Sequence, residues 1–238
     1  MITVYTPAYN EEVLIQFMIN HYRQRFPGCR IVVYDNLSTD NTVKIALANG
    51  CQVIPYDTND QLQDRRLTDI KNNCWKNATT DWVLVCDVDE LLDINEAELK
   101  QEEVAGVNMI RTDCYDMINL ADNFDIAGMK YGVKSPLTGK SLLFNKKSIS
   151  QINYEPGAHE CHPVGTVIYS QKMYKLYHYT SINERRTYEK CLVNGVRLSP
   201  ENIKNGWGVG ILVTPTQNTP ELIHKDYIAD RKQAIRVR

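Results

Sequence analysis

Short apolar runs alternate with helical patterns over the first hundred residues, the signature of βαβ units around a parallel sheet. Ile2 to Thr6 reads as a strand. Asn10 is placed to cap the next helix, Glu11 and Glu12 suit its first turn, and Val13, Leu14, Phe17, Met18 and His21 trace one face before Pro27-Gly28 stops it. Ile31 to Tyr34 is the second strand. The polar stretch DNLSTDNT then leads into a helix through Val43, Ile45, Ala46 and Leu47 that ends at Asn49-Gly50. Val53 to Pro55 is a short third strand. From about Asp60 to Asn77, Leu67, Ile70 and Cys74 recur at inward spacing with Arg65, Arg66 and Lys71 on polar positions, which predicts a third helix. The five apolar residues Trp82 to Cys86 suit a fourth strand, buried on both faces as in a parallel sheet covered by helices.

The second half reads differently. Asn95 with Glu98 three residues on resembles a capping box for a short helix, and Val107 to Ile110 resumes a strand. Ser141 to Asn145 and Ile152 to Tyr154 look like further strands, with turn signals at Pro136 to Gly139 and at Pro156-Gly157. Val167 to Tyr179 is extended, and a helical pattern runs from about Ile182 to Leu198. After it come NGWGVG, TPTQNTP and a charged tail. The whole is an α/β chain whose 238 residues suit one domain with an appended C-terminal segment.

Candidate chemistry gathers where these strands end. The fourth strand runs into Asp87, Asp89 and Glu90. In extended chain, residues two apart project to one side roughly 6.5–7 Å from each other, so Asp87 and Asp89 can converge while Val88 points back. Two carboxylates brought together repel unless a cation relieves them, and a hard divalent ion such as Mg²⁺ or Mn²⁺ takes oxygen ligands and leaves positions for phosphates. A solvated acidic turn is the plainer alternative. Ligands of open α/β sheets bind beyond the carboxyl ends of the strands, which collects Pro7 to Asn10, Asp35 to Asp40, the region around Asp57 to Asp60, and Asp87 to Glu90 in one crevice. Neither GxGxxG nor GxxxxGK[ST] occurs, so neither a dinucleotide fold nor a P-loop is supported.

Composition narrows the partners. Apolar and charged fractions of 43% and 24% are those of an ordinary globular protein, and 27 basic against 29 acidic side chains leave no nucleic-acid footprint or polybasic membrane patch. Seven scattered cysteines without a CxxC pair argue against a disulfide framework or a four-cysteine zinc site. The start, MITVYTPAYNEE, lacks the features of a secretory signal and no run approaches transmembrane length, so a cytoplasmic location is expected.

Four segments in this order, TPAYNEE, DNLSTDNT, IKNNCW and CDVDE, resemble the first strand and turn, the D-x-S-x-D-x-T loop, the basic-Asn helix and the DxD of GT-A type nucleotide-sugar glycosyltransferases. The likeness is to glycosyltransferase family two and to small relatives from capsule-building bacteria and large viruses, and covers about residues 1–210. KSLLFN, GAHECHPVG, KLYHYTS and NGWG look like features of the smaller subgroup. The resemblance implies a GT-A fold, a mostly parallel central sheet with helices on both faces. It would span residues 1–212, with a nucleotide-sugar half at 1–105, a mixed acceptor half at 106–212, and 213–238 as a tail or the start of a linker. It implies transfer of a hexose or deoxyhexose from a nucleoside-diphosphate sugar, with a UDP-sugar as first guess, to a glycan hydroxyl, by inverting displacement and with Mn²⁺ or Mg²⁺.

Residue by residue, the resemblance assigns Pro7, Ala8, Tyr9, Asp35, Lys71, Asp87 and Val88 to the nucleotide sugar, and Asp87, Asp89 and His178 to the metal. Asp35 is otherwise a turn-former, and His178 a satisfied core histidine. Arg185 and Arg186 would meet the diphosphate under a closing C-terminal lid, or are helix-surface charges. The family's Glu-Asp pair at the inverting base is missing. His159 and Glu160, in an acceptor-facing loop, are the nearest candidates for the base, with Asp113 and Asp116 behind them; a zinc site at His159 to His162 lacks a second ligand pair. Two rival readings remain. A nucleotidyltransferase usually begins with a glycine-rich, basic first loop, which PAYNEE is not; acidic residues at three strand ends argue against a catalytically idle binding module.

Overall fold

The computed structural model describes residues 1–120, 125–135, 140–180 and 182–238. Four parallel strands form the N-terminal half of its sheet, β1 (Ile2–Ala8), β2 (Arg30–Asp35), β3 (Gln52–Pro55) and β4 (Trp82–Val85), in the order β3-β2-β1-β4. Between them run α1 (Ile15–Arg25), α2 (Thr42–Ala48) and α3 (Asp64–Asn73). Alternate residues of the strands go to opposite faces, and both faces are apolar. Ile2, Val4, Ile31, Val33 and Leu84 pack with Ile15, Met18 and Tyr22 of α1, whereas Tyr5, Val32, Val83 and Val85 pack with Trp75, just past α3, and Phe144. Burial on both sides is why these strands read as continuous apolar runs.

The chain continues through β5 (Glu90–Leu92), α4 (Glu96–Val104), β6 (Met109–Ile118), β7 (Tyr131–Lys134) and β8 (Leu143–Asn145). β8 joins the halves by running antiparallel to both β4 and β6. A two-stranded sheet pairs β9 (Ile149–Gln151) with β10 (Val164–Gly165), and β11 (Tyr169–His178) lies parallel to β6 and antiparallel to β5. Then follow α5 (Glu184–Gly195), α6 (Pro200–Asn205), α7 (Pro220–Gln233) and β12 (Ile235–Arg236). Residues 213–238, read as a tail or linker, thus carry a helix that packs on α5 and a strand that pairs antiparallel with β7. No helix among the described residues is long and apolar enough to cross a membrane.

Several boundaries differ from the sequence pattern, each for a tertiary reason. Asn10 does not cap α1. It has φ 52° and its Oδ1 accepts from Thr39 N at 2.8 Å, while Glu12 Oε2 accepts from Asn41 Nδ2 at 2.7 Å, so the first loop is tied to the second and the helix begins at Ile15. The third helix starts at Asp64 instead of Asp60, because Asn59 and Asp60 have positive φ, and it ends at Asn73 instead of Asn77. Lys71, placed on its polar side by the pattern, is only 7% exposed and faces Asp87. The strand expected at Ile152 to Tyr154 lies earlier, at Ile149–Gln151; Asn153 has φ 51°, and Tyr154 keeps only a bridge to Cys161. The capping box at Asn95 forms, with Glu98 N donating to Asn95 Oδ1 at 3.0 Å and Asn95 N to Glu98 Oε2 at 3.0 Å. The turn at Pro136 to Gly139 lies outside the described residues.

Two side chains of α1 brace the segment that follows β4. Tyr22 donates its hydroxyl proton to Glu90 O at 2.7 Å and accepts from Leu92 N at 3.2 Å, and His21 Nε2 donates to Leu92 O at 2.9 Å. Burial lowers the His21 pKa to about 4, so the ring is neutral at pH 7. A histidine whose folded value lies below its unfolded value of about 6.5 stabilises the fold fully above that value, and the contribution disappears as pH falls toward 4. The wild type should therefore lose on the order of 3 kcal/mol through this window. His21→Gln keeps a donor for Leu92 O and should show a flatter profile in denaturant titrations between pH 7.5 and 4.5; parallel profiles would assign the acid sensitivity to other groups.

Candidate functional site

The carboxyl ends of β1, β2 and β4 open into a cavity of about 320 Å³, closed on the other side by the end of β11, by α5 and by the loop carrying His159. Of the residues singled out in the sequence, Pro7, Ala8, Tyr9, Asp87, Val88, Asp89, His159 and His178 line it. Asp35 and Lys71 are buried and not among the lining residues. Asp35 is 3% exposed, its Oδ2 accepts from Ser38 N at 3.1 Å, and its Oδ1 is buried with no partner among the described residues. It pairs in register with Ala8, and its neighbours Asn36 and Tyr56 reach the cavity. Glu160 is not among the lining residues: its side chain is exposed, while its backbone carbonyl accepts from Glu155 N at 3.0 Å.

Each acid of the CDVDE stretch meets its own lysine. Lys71 Nζ lies 2.9 Å from Asp87 Oδ2 and 2.8 Å from Oδ1, Lys190 Nζ lies 3.0 Å from Asp89 Oδ2, and Lys140 pairs with Glu90. Burial opposes the charge on Asp89, but Lys190 and His178 outweigh it and hold the carboxyl well below the usual range. Burial likewise opposes the Glu90 charge, and Lys140 and Lys71 still bring its pKa down to about 2. Asp89 and Glu90 are therefore ionised at neutral pH.

His178 ends β11 with Nε2 3.8 Å from Asp89 Oδ1 and Nδ1 2.8 Å from Asp116 Oδ1. Burial works against its proton, while Asp116, Asp89 and Glu90 favour it and the pKa is raised. Cys114 offers its sulfur within 4.8 Å of ligand atoms of His178 and Asp116, yet burial pushes its thiol up to about 12, so it stays a neutral thiol beside the carboxylates. His159 is the converse of His178. Burial and then Lys140 lower its pKa, and its Nδ1 is buried without a partner among the described residues.

Besides Arg186, α5 and the turn after it supply Lys190, Asn194 and Arg197, which the sequence had not singled out. Arg186 Nη2 lies 3.4 Å from Glu11 Oε2, Lys190 bridges Asp89 and Glu11, and Lys190, Asn194 and Arg197 all line the cavity. Arg197, buried just after the helix, stacks on the Tyr9 ring at 3.2 Å and donates to Asn36 Oδ1 at 2.7 Å and Asp60 Oδ1 at 3.0 Å. Their spacing of four, four and three residues is a helical face legible in the sequence. Arg185, by contrast, is exposed and pairs along the helix with Glu189.

A family model described as Glycosyl transferase family 2 matches residues 3–105. Protein RfbJ of Shigella flexneri is 31% identical over 98 residues, which are 40% of this chain and 70% of RfbJ. Among solved structures, residues 1–349 of TarS from S. aureus in complex with UDP match with a TM-score of 0.48 at 15% identity, over 82% of this chain and 64% of that one. Glucosyl-3-phosphoglycerate synthase from Mycobacterium tuberculosis, in complex with Mn²⁺, UDP and glucosyl-3-phosphoglycerate, matches with a TM-score of 0.40 at 18% identity, over 66% of this chain and 61% of that one. The chain thus spans less than two thirds of either solved chain. The family match falls on the segment that builds β1 to β4 and the DxD turn, the RfbJ likeness extends over most of that relative, and the sheet is mostly parallel where the match lies, so this chain belongs to the family 2 glycosyltransferases of GT-A type.

Proposed function

We propose that the cavity binds a nucleoside-diphosphate sugar, with a UDP-sugar as first choice, and that the chain transfers its hexose or deoxyhexose to a glycan hydroxyl by inverting displacement. The observation that carries this reading is the buried, unpartnered Asp35 Oδ1 at the end of β2, next to Asn36, which lines the cavity together with Asp89 and His178. A carboxylate oxygen accepts hydrogen bonds, so this one calls for a donor, such as the ring N–H of a base. Uracil and thymine offer a ring N–H at N3 and guanine at N1, whereas neutral cytosine presents an acceptor at N3 and donates only from its exocyclic N4. Pro7, Ala8 and Tyr9 would frame the base, and Asp87, held by Lys71, would face the ribose.

The residues present fit a divalent ion. Asp89 Oδ1 and His178 Nε2 face each other 3.8 Å apart, and carboxylate with imidazole is a normal donor set for Mn²⁺. Asp116, 2.8 Å from Nδ1, would hold the tautomer whose Nε2 can ligate, in place of its present contact with Thr180 Oγ1 at 2.8 Å. When bound, Mn²⁺ or Mg²⁺ would neutralise the charge that collects on the departing diphosphate. His159, kept neutral by burial and Lys140, is the proposed base in preference to the exposed Glu160. It takes the acceptor hydroxyl proton as the new bond to the sugar's anomeric carbon forms, and the bond to the diphosphate breaks with its electron pair leaving on the nucleotide.

Thermal melting with UDP, GDP, dTDP and CMP, each with and without Mn²⁺, tests the donor site. A hundredfold excess of UDP over its Kd should add about 2.7 kcal/mol of stability, and chelation should remove much of it. CMP should stabilise least. Equal shifts with every nucleotide, indifferent to chelator, would overturn this reading.

A further inference from the structure

Lys190 differs from the other two lysines of the site. Lys71 and Lys140 are buried, with side chains 8% and 5% exposed, whereas Lys190 reaches in from α5 and is 29% exposed. Besides the main cavity it lines a second one of about 150 Å³ between α5 and the first loop, together with Glu11, Arg186 and Asn194. It has two carboxylates within reach, Asp89 Oδ2 at 3.0 Å and Glu11 Oε1 at 3.2 Å. α5 is anchored near its start by the Asn183 cap and by Arg186 on Glu11, and beyond its end by Arg197, so the flexible lysine stem can move between partners without moving the helix.

On Asp89 the lysine and His178 occupy opposite oxygens. Nζ is on Oδ2, and His178 Nε2 is nearest Oδ1. A divalent ion held by Asp89 and His178 would share one carboxylate with an ammonium, and the like charges repel. A diphosphate in the cavity changes the balance, because its oxygens can take the ammonium that Asp89 gives up.

We infer that Lys190 couples ion binding to nucleotide binding: it competes with the divalent ion for Asp89 while no diphosphate is present, and moves to the diphosphate when one arrives. The inference rests on the nucleotide-sugar reading of the cavity. It makes each ligand raise the affinity of the other, reciprocally, and locates the coupling in one side chain.

The test measures Mn²⁺ binding by the electron-spin signal of free Mn²⁺ and UDP binding by calorimetry, each alone and with the other saturating, in wild type, Lys190→Met, Lys190→Arg and Glu11→Gln. Lys190→Met should tighten Mn²⁺ alone by about tenfold, weaken UDP alone by about tenfold, and reduce the enhancement of Mn²⁺ binding by UDP. Lys190→Arg should retain the enhancement. Glu11→Gln, which leaves Lys190 only Asp89 as a charged partner, should weaken Mn²⁺ alone. A purely structural lysine would give no gain in Mn²⁺ affinity when lost. Wild-type enhancement in Lys190→Met, or tighter Mn²⁺ in Glu11→Gln, would overturn the coupling while leaving the donor site standing. Failure of the wild type to bind any nucleoside diphosphate would remove both.

Discussion

Asp89→Asn is expected to cut sugar transfer at least about 10²-fold while the chain remains folded. The residue follows β4 in the turn that leads to β5, and its carboxylate lies between Lys190 and His178. Asparagine keeps the size and the turn but removes the negative charge that would hold a divalent ion. Stability should change little, because Lys190 retains Glu11 at 3.2 Å and His178 retains Asp116 at 2.8 Å. The measurement is donor turnover by the purified variant at saturating Mn²⁺, with melting recorded alongside. Wild-type turnover would exclude Asp89 from the reaction. A large fall in melting with residual turnover in proportion to folded protein would make it a structural anion.

β1, β2 and β4 were legible because burial on both faces leaves an unmistakable apolar run, and the capping box at Asn95 because both partners lie within three residues. What local pattern could not show was set by distant partners. Asn10 sits where a cap belongs, yet its side chain is taken by Thr39. Lys71 falls on a polar helix position, and only the fold brings Asp87 opposite it. β12 is two residues long, too short for any periodicity, and its partner β7 lies about a hundred residues earlier. In the candidate site, the sequence named Asp89 and His178 separately, and the structure puts them 3.8 Å apart. Lys190 and Arg197 were visible as a helical face, but a charged face on a helix usually points to solvent, and nothing local marks this one as facing carboxylates. The acid turn posed a second difficulty. Repulsion among Asp87, Asp89 and Glu90 implied a cation, and sequence alone could not show that three lysines already supply compensating charge.

Lys140→Met should destabilise the chain by about 3–5 kcal/mol, because it strands an ionised carboxylate in the interior. The Glu90 and Lys140 side chains are 1% and 5% exposed, so water cannot replace the lost partner. For a chain of this size the melting temperature should fall by roughly 6–20 °C. Damage would centre on the turn that carries Asp87 and Asp89, since Glu90 Oε2 accepts from Asp87 N at 3.0 Å and Glu90 O accepts from the Tyr22 hydroxyl at 2.7 Å. Replacing both charges, in Glu90→Gln with Lys140→Met, should recover much of the loss, because a neutral buried pair of similar volume costs far less than one unpaired ion. Acid titration separates charge from packing. The folded pKa of Glu90, about 2, lies below its ordinary value of 4.5, so the pair's contribution is complete above 4.5 and is lost as pH falls toward 2. The wild type should lose stability through that window and the double variant should lose less. Wild-type melting in Lys140→Met would mean that Lys71, the other cation acting on Glu90, neutralises it unaided. A double variant no more stable than the single would trace the defect to the packing of the lysine stem and not to the stranded charge.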